Sequence, residues 1–186
     1  MSFKCHKVKI YLYYLCIMNI LKYLVIIVLF VAAGFYGMIL LSPSEIEFRV
    51  NEDISAPIDE VYKGITNPQT WGKWVEGVER VKQKKGDGFS QGSVSDVFFP
   101  QKMMMTKELR LAEVNKQIVL HGVVIDFFSK TESYILEVLD SNTTRVSCSI
   151  KMKALKNKSK MIMRAKETHT QNMAKNLTSL KNYLEQ

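Results

Sequence analysis

One histidine and two carboxylates stand at positions where they interrupt apolar patterns. His169 falls on an apolar helical stripe, while Glu52 and Asp96 each break the alternation of an apolar strand. An imidazole within reach of a carboxylate forms an acid/base pair near neutral pH. A lone histidine on such a face is more often a core residue with a satisfied partner, and the carboxylates are also compatible with strand bulges.

Methionines supply the second group of candidates. Met103, Met104 and Met105 are consecutive, so at least one of them points inward in a strand, and Met173 lies on the same helical stripe as His169. Flexible thioether side chains adapt to varied apolar ligands, although they also fill gaps in ordinary cores. The candidate ligand-binding residues are therefore His169, Met173, Glu52, Asp96 and Met105, and no catalytic residue is identified.

The sequence contains no recognisable metal-binding or cofactor-binding motif. The three histidines are widely separated, and no CxxC or HExxH motif occurs, so we expect neither a metal nor a cofactor. Cys148 is the single cysteine after residue 41, which excludes an internal disulfide there. It alternates with Val146 and Ile150 and is expected to be a buried apolar residue rather than a nucleophile.

An uncharged run, LVIIVLFVAAGFYGMILL, occupies residues 24–41. Its length is close to what a helix needs to cross about 30 Å of hydrocarbon, so it predicts a transmembrane helix. A cleaved signal peptide is the competing interpretation, but no clear small-x-small cleavage site follows. Residues 1–23 form a basic and apolar extension. Either its apolar part lengthens the helix, or Met18 is the true start of the protein.

The charges around this run are one-sided. Lys4, Lys7, Lys9 and Lys22 precede or enter it without any acid, whereas Glu45 and Glu47 follow it. The positive-inside rule then places the N-terminus in the cytoplasm and the rest of the chain in the periplasm or outside the cell.

The formal net charge of +8 raises the question of nucleic-acid binding. Four of the positive charges belong to the anchor, residues 42–150 hold slightly more acids than bases, and the rest of the excess lies in a lysine cluster near residues 151–164. Such a cluster is usually a solvated surface, so we expect no nucleic-acid partner, and anionic lipid headgroups fit it better.

Residues 45–186 contain the signals of one α+β domain, joined to the anchor by a linker at 42–44. Residues 45–55 alternate apolar and polar side chains, which indicates a strand. Pro57 suits a helix start, Asn67-Pro68 ends that helix, and Trp71 and Trp74 belong to a second short helix.

Six further strands follow, separated by short turns. They are predicted at 78–84, 93–99, 103–114, 117–125, 129–139 and 144–153. After Lys153 the chain has no Gly or Pro, and Ile162, Ala165, His169, Met173, Leu177, Leu180 and Leu184 recur at helical spacing. The prediction is a curved antiparallel sheet of about seven strands wrapped around a long C-terminal helix.

The segment ISAPIDEVYKGITNPQTWGKWVEGVERV, residues 54–81, resembles the START-like (SRPBCC) superfamily, which includes polyketide cyclase/dehydrase-type and plant-allergen-type, or Bet v 1-like, domains. The terminal MAKNLTSLKNYLEQ is similar to the closing helix of that superfamily. The resemblance implies a helix-grip fold. It does not choose among lipid carriers, receptors and enzymes.

The sequence therefore predicts a membrane-anchored binding or carrier domain that encloses a hydrophobic small molecule or lipid, in preference to an enzyme. The alternative is a cyclase, dehydratase or hydrolase that uses His169 with Glu52 or Asp96. A third possibility is that the domain's own side chains fill its interior, leaving no ligand cavity, and that the domain acts through partners at the membrane.

Overall fold

The structure is a computed structural model that describes residues 3–186, with side chains for 18–157 and 159–186. The chain divides into two compact units, one ending at Leu41 and one beginning at Ser42. They are described separately.

The first unit is one helix, α1, Phe3–Leu41. It is longer than the predicted span because the apolar residues before Leu24 continue the same helix without a Gly or Pro. Its part Met18–Leu41 has a mean hydropathy of 2.8 and is apolar and long enough to cross a membrane. A signal sequence near an N-terminus meets the same criteria.

The second unit is built on a seven-stranded antiparallel sheet, as predicted. The strands are β1 Glu45–Ile54, β2 Arg80–Lys85, β3 Val94–Phe98, β4 Met104–Glu113, β5 Gln117–Val124, β6 Phe128–Asp140 and β7 Thr143–Ala154. From β2 to β6 each strand pairs with the next one along the chain, and β1 pairs with β7 at the other edge. Short connections between consecutive strands favour this meander.

Strand β1 shows how alternation positions the core. Ile46, Phe48 and Ile54 are buried while the residues between them are more exposed. Its partner β7 buries Val146, Cys148, Ile150 and Met152 on the same face. Burial raises the pKa of the Cys148 thiol, which therefore stays protonated at neutral pH.

Two short helices follow β1, α2 Ile58–Thr66 and α3 Trp71–Trp74, with a 3₁₀ turn Pro68–Thr70 between them. Both indoles are 3% exposed and donate to backbone carbonyls, Trp71 Nε1 to Ile65 O at 2.9 Å and Trp74 Nε1 to Gly64 O at 3.2 Å. The tryptophans therefore close one end of the core and satisfy carbonyls near the end of α2.

The C-terminal segment differs from the single continuous helix that was predicted. A 3₁₀ turn Asn157–Ser159 and a short helix α4, Lys160–Met163, precede the long helix α5, Lys166–Leu184. Ala165 leaves helical geometry at ψ 35° and is exposed, while Met163 is buried. The break lets α4 place Met163 in the core, after which α5 buries Met173, Leu177 and Leu180.

Candidate functional site

A cavity of about 250 Å³ lies between the inner face of the sheet and α5. Seven of its fifteen lining residues are Phe or Met, namely Phe48, Phe99, Phe128, Met103, Met105, Met152 and Met173. Its polar wall consists of Lys107, Lys130, Glu132, His169, Asn172, Asn176 and Glu76. A larger surface groove of about 700 Å³ runs between α3 and α5, but it contains no comparable buried ionic group among its described side chains.

The polar wall contains a buried ionic cluster. Lys107 Nζ donates to Glu132 Oε2 at 2.8 Å, and Lys130 Nζ lies 2.6 Å from Glu132 Oε1. Glu132 is 3% exposed and Lys107 is 7% exposed. The Lys107 ammonium also lies 4.9 Å from the centre of the Trp71 ring, close enough for a cation–π contact.

Strand register brings these charges together. Gly122 of β5 pairs with Lys107 of β4 on one side and with Lys130 of β6 on the other, so all three lie in one row. Glu132 lies two residues farther along β6 and points to the same face. A Cβ at Gly122 would be 2.5 Å from the Met105 sulfur, so the missing side chain leaves room for the Met105 thioether over β5.

The cluster determines the charge of its carboxyl group. Burial alone would raise the pKa of Glu132, but the ammonium groups of Lys107 and Lys130 outweigh it and lower that pKa to about 2. Glu132 is consequently a carboxylate at any physiological pH, and it neutralises one of the two lysines.

His169 lines the same cavity and joins α5 to α4. Its Nε2 lies 3.1 Å from the carbonyl oxygen of Ile162. A carbonyl only accepts, so Nε2 carries the proton, and Nδ1 is the acceptor in the neutral ring. The carbonyl of Ile162 is the kind of hydrogen-bond partner that we expected if His169 were an ordinary core residue.

Of the five sequence-predicted candidates, the cavity brings together His169, Met173 and Met105. Glu52 lies elsewhere, in a polar surface pocket where Lys181 Nζ is 3.4 Å from its Oε1. Asp96 is on the opposite face of the sheet, where Thr106 donates to its Oδ1 at 2.7 Å and Lys84 is 3.3 Å from its Oδ2. In the part of the chain that the structure describes, neither carboxylate contacts His169.

The cluster of Lys107, Lys130 and Glu132 was not among the sequence-predicted candidates, although a signal was present. Lys107 lies two residues from buried Met105 and from buried Leu109, so it shares their inward face. Lys130 and Glu132 share the inward face of β6 with buried Tyr134 and Leu136 in the same way. The same criterion that selected Glu52, a charge at an inward position, selects these three side chains as well.

The cavity adjoins an exposed apolar end of the domain. A groove of about 520 Å³ shares Met103 and Phe128 with the cavity and adds residues of the β5–β6 turn. Ile125 in that turn is 69% exposed and Phe127 is 45% exposed. The start of β1 lies at this same end, since Ser44 O accepts a hydrogen bond from Ala154 N at 2.8 Å.

Solved structures with this fold come from several organisms. The ZhuI aromatase/cyclase of Streptomyces sp. R1128 has a TM-score of 0.62 at 12% identity, covering 76% of this chain and 94% of that one. Norcoclaurine synthase of Thalictrum flavum, in complex with dopamine and hydroxybenzaldehyde, has 0.57 at 11%, covering 77% and 88%. Major latex-like protein 151 of Panax ginseng has 0.61 at 10%, covering 76% and 99%.

These identities are low, so the likeness shows the fold alone, a helix-grip domain as predicted. Among curated proteins none matches the sequence. A family model described as polyketide cyclase / dehydrase and lipid transport matches residues 45–185, which is nearly all of the second unit. The chain therefore belongs to the polyketide cyclase/dehydrase and lipid transport family.

Proposed function

We propose that residues 45–186 form a binding domain that encloses a small hydrophobic or amphipathic molecule and is held at a membrane by α1. The observation that carries this proposal is the cavity between the sheet and α5, about half of whose lining residues are Phe or Met. Burial of apolar surface contributes about 25 cal/mol per Å², so such a wall holds a ligand without a catalytic group. The description of the family, which includes lipid transport, supports the same function.

The membrane part of the proposal rests on α1 and on the apolar end of the domain. Met18–Leu41 has the length and hydropathy of a membrane span. Ile125 and Phe127 are exposed at the end of the domain that carries Ser44, which follows α1 by three residues. Exposed apolar patches of this kind suit contact with a lipid surface. A ligand would then exchange with the bilayer beside Met103.

The lysines before α1 and the acids after it favour an N-terminus in the cytoplasm and a domain in the periplasm or outside the cell. A cleaved signal peptide remains the alternative for α1. It predicts a shortened, soluble form of the protein.

The catalytic alternative, with His169 acting beside Glu52 or Asp96, gains no support from the contacts. His169 Nε2 is hydrogen-bonded to the carbonyl of Ile162. Glu52 pairs with Lys181, and Asp96 accepts a hydrogen bond from Thr106. Acid/base catalysis needs hydrogen-bond reach between the members of the pair. We therefore propose binding rather than catalysis.

Photolabelling tests the proposal on the full chain in phosphatidylcholine vesicles. A diazirine analogue of octanol should label peptides that line the cavity, and excess octanol should compete. Met103→Trp should reduce this labelling by filling the mouth of the cavity, where Met103 is 42% exposed. Ile135→Trp is the matched control, because Ile135 is 53% exposed and does not line the cavity.

Labelling confined to α1, or equal labelling of wild type and Met103→Trp, would contradict the enclosed site. Labelling of cavity peptides that octanol does not reduce would also contradict it, because a saturable site must show competition.

A further inference from the structure

The wall of the cavity has an unbalanced charge. Two ammonium groups, those of Lys107 and Lys130, share the single carboxylate of Glu132. Glu76 also borders the cavity, but it is exposed to solvent at the rim, where water and salt screen its charge. The inner wall therefore carries a net positive charge that no buried acid among the described side chains neutralises.

The same groups have hydrogen-bonding capacity to spare. Each ammonium has three N–H donors; Lys107 donates one to Glu132 Oε2, and Lys130 forms an ion pair with Glu132 Oε1. Lys107 is 7% exposed, and the side chain of Lys130 is 20% exposed, so bulk water reaches these donors poorly. Buried charge is costly unless it is paired. An anionic group placed between the two ammonium groups would supply both the missing charge and the missing acceptors.

The volume limits the size of the molecule. A water molecule takes about 30 Å³ in the liquid, so the cavity of about 250 Å³ equals about eight waters. That space suits a chain of about eight carbons, and Phe128 and Met105 line it with apolar surface. Asn172 and Asn176 of α5 add neutral polar groups and no further charge.

We propose that the cavity is selective for small amphipathic anions, with a carboxylate or similar oxyanion bound between Lys107 and Lys130 and an apolar body against the Phe and Met side chains. This inference rests on the proposed function, because it assigns the ligand class of the same cavity. Affinity for an anion should exceed that for a neutral alcohol of equal chain length by about tenfold or more, the usual gain from a charge-assisted hydrogen bond.

Octanoate, octanol and octylamine are the matched probes. The full chain in phosphatidylcholine vesicles is titrated with each, free ligand is measured by dialysis, and tryptophan emission is the signal. Trp71 and Trp74 are the only tryptophans of the chain, and the Trp71 ring lies 4.9 Å from the Lys107 ammonium, so a group bound at Lys107 should change the Trp71 emission. The loss of this change in variants that lack Lys107 or Lys130 assigns the signal to the cavity rather than to the groove that Trp74 lines. Octanoate should bind at least about tenfold more tightly than octanol, and octylamine more weakly than octanol.

Two variants remove the excess charge without leaving an unpaired one. Lys130→Met leaves the Lys107–Glu132 pair, and Lys107→Met leaves the Lys130–Glu132 pair. Each should bind octanoate no more tightly than octanol while octanol affinity changes little. Lys116→Met is the control, because Lys116 is 76% exposed and its removal lowers the net charge of the chain equally. It should retain the wild-type preference.

Equal binding of octanoate and octanol by the wild type would overturn the selectivity and leave the enclosed site intact. Tighter binding of octylamine would overturn it as well. Absence of binding by all three probes would refute the proposed function together with this inference. The wild-type comparison needs no variant, so it decides the question even where a lysine variant fails to fold.

Discussion

Replacement of Glu132 by Gln should destabilise the domain by about 3 kcal/mol. The change keeps the size of the side chain but leaves the buried ammonium of Lys107 and the partly buried ammonium of Lys130 without a carboxylate. The pKa of Glu132 falls from 4.5 to about 2, and each unit corresponds to about 1.4 kcal/mol. Removal of one partner from a buried ion pair typically costs about 3–5 kcal/mol, in agreement with this figure.

The same reasoning predicts a pH dependence. The pKa of Glu132 is lower in the folded protein than its usual value, so its carboxylate stabilises the fold above about pH 4.5. That stabilisation is lost as the pH falls from about 4.5 towards 2. Glu132→Gln has no such carboxyl group. The difference in stability between wild type and variant should therefore shrink as the solution becomes acidic.

Urea unfolding of the full chain in vesicles, followed by the emission of Trp71 and Trp74, measures both effects. Glu108→Gln is the control because it also removes one acid from the sheet, at a side chain that is 43% exposed and 3.1 Å from Arg110 Nε. A surface pair of this kind contributes at most about 1 kcal/mol.

A loss below about 1 kcal/mol for Glu132→Gln would refute the buried cluster. So would a difference between wild type and variant that is equal at about pH 6 and about pH 3. Equal effects of Glu132→Gln and Glu108→Gln would show that burial gives Glu132 no special role.

Three further predictions concern other parts of the chain. Trp71→Ala and Trp74→Ala should each destabilise the domain by about 3 kcal/mol through lost aromatic packing, and unchanged melting by circular dichroism would contradict their burial. His169→Ala should cost about 1 kcal/mol for its bond to Ile162 and alter octanoate affinity; a large stability loss with unchanged binding would make His169 a core residue only. Protease added outside intact cells, after permeabilisation of any outer membrane, should digest residues 45–186, whereas full protection would reverse the proposed orientation.

The strands and short helices were predictable because their signals are local. Strand β7, predicted at 144–153, extends over Thr143–Ala154, and its alternation is visible within the strand itself. Pro57 and Asn67 mark the ends of α2 through backbone geometry that depends only on neighbouring residues. Local chemistry therefore accounts for most of the element order.

The ionic cluster was harder to predict because it depends on register. Lys107 and Glu132 are 25 residues apart, and their contact requires β4, β5 and β6 to align through Gly122. The register of β4 against β5 also shifts between Leu109 and Leu111. An irregularity of this kind changes which side chains are neighbours, and alternation within one strand does not report it.

The helix break had a similar origin. The stripe through Ala165 suggested one continuous helix, since both Ala165 and His169 fit its spacing. The burial of Met163 against the sheet outweighed helix continuity at this point. The spacing of apolar residues does not show whether burying Met163 or continuing the helix through Ala165 stabilises the fold more.

The short junction between α1 and the domain bears on the proposed binding function. Ser44 is already hydrogen-bonded to Ala154, and the Ser42 hydroxyl lies 3.6 Å from the sulfur of Met161, so the junction after Leu41 contains almost no free chain. Three fully extended residues would span only about 10 Å. With α1 fixed in a bilayer, the domain has no tether long enough to ferry a molecule across an aqueous gap to a second membrane. On the proposed function, a bound molecule would then stay at one membrane surface, and its onward transfer would require an acceptor that reaches that surface.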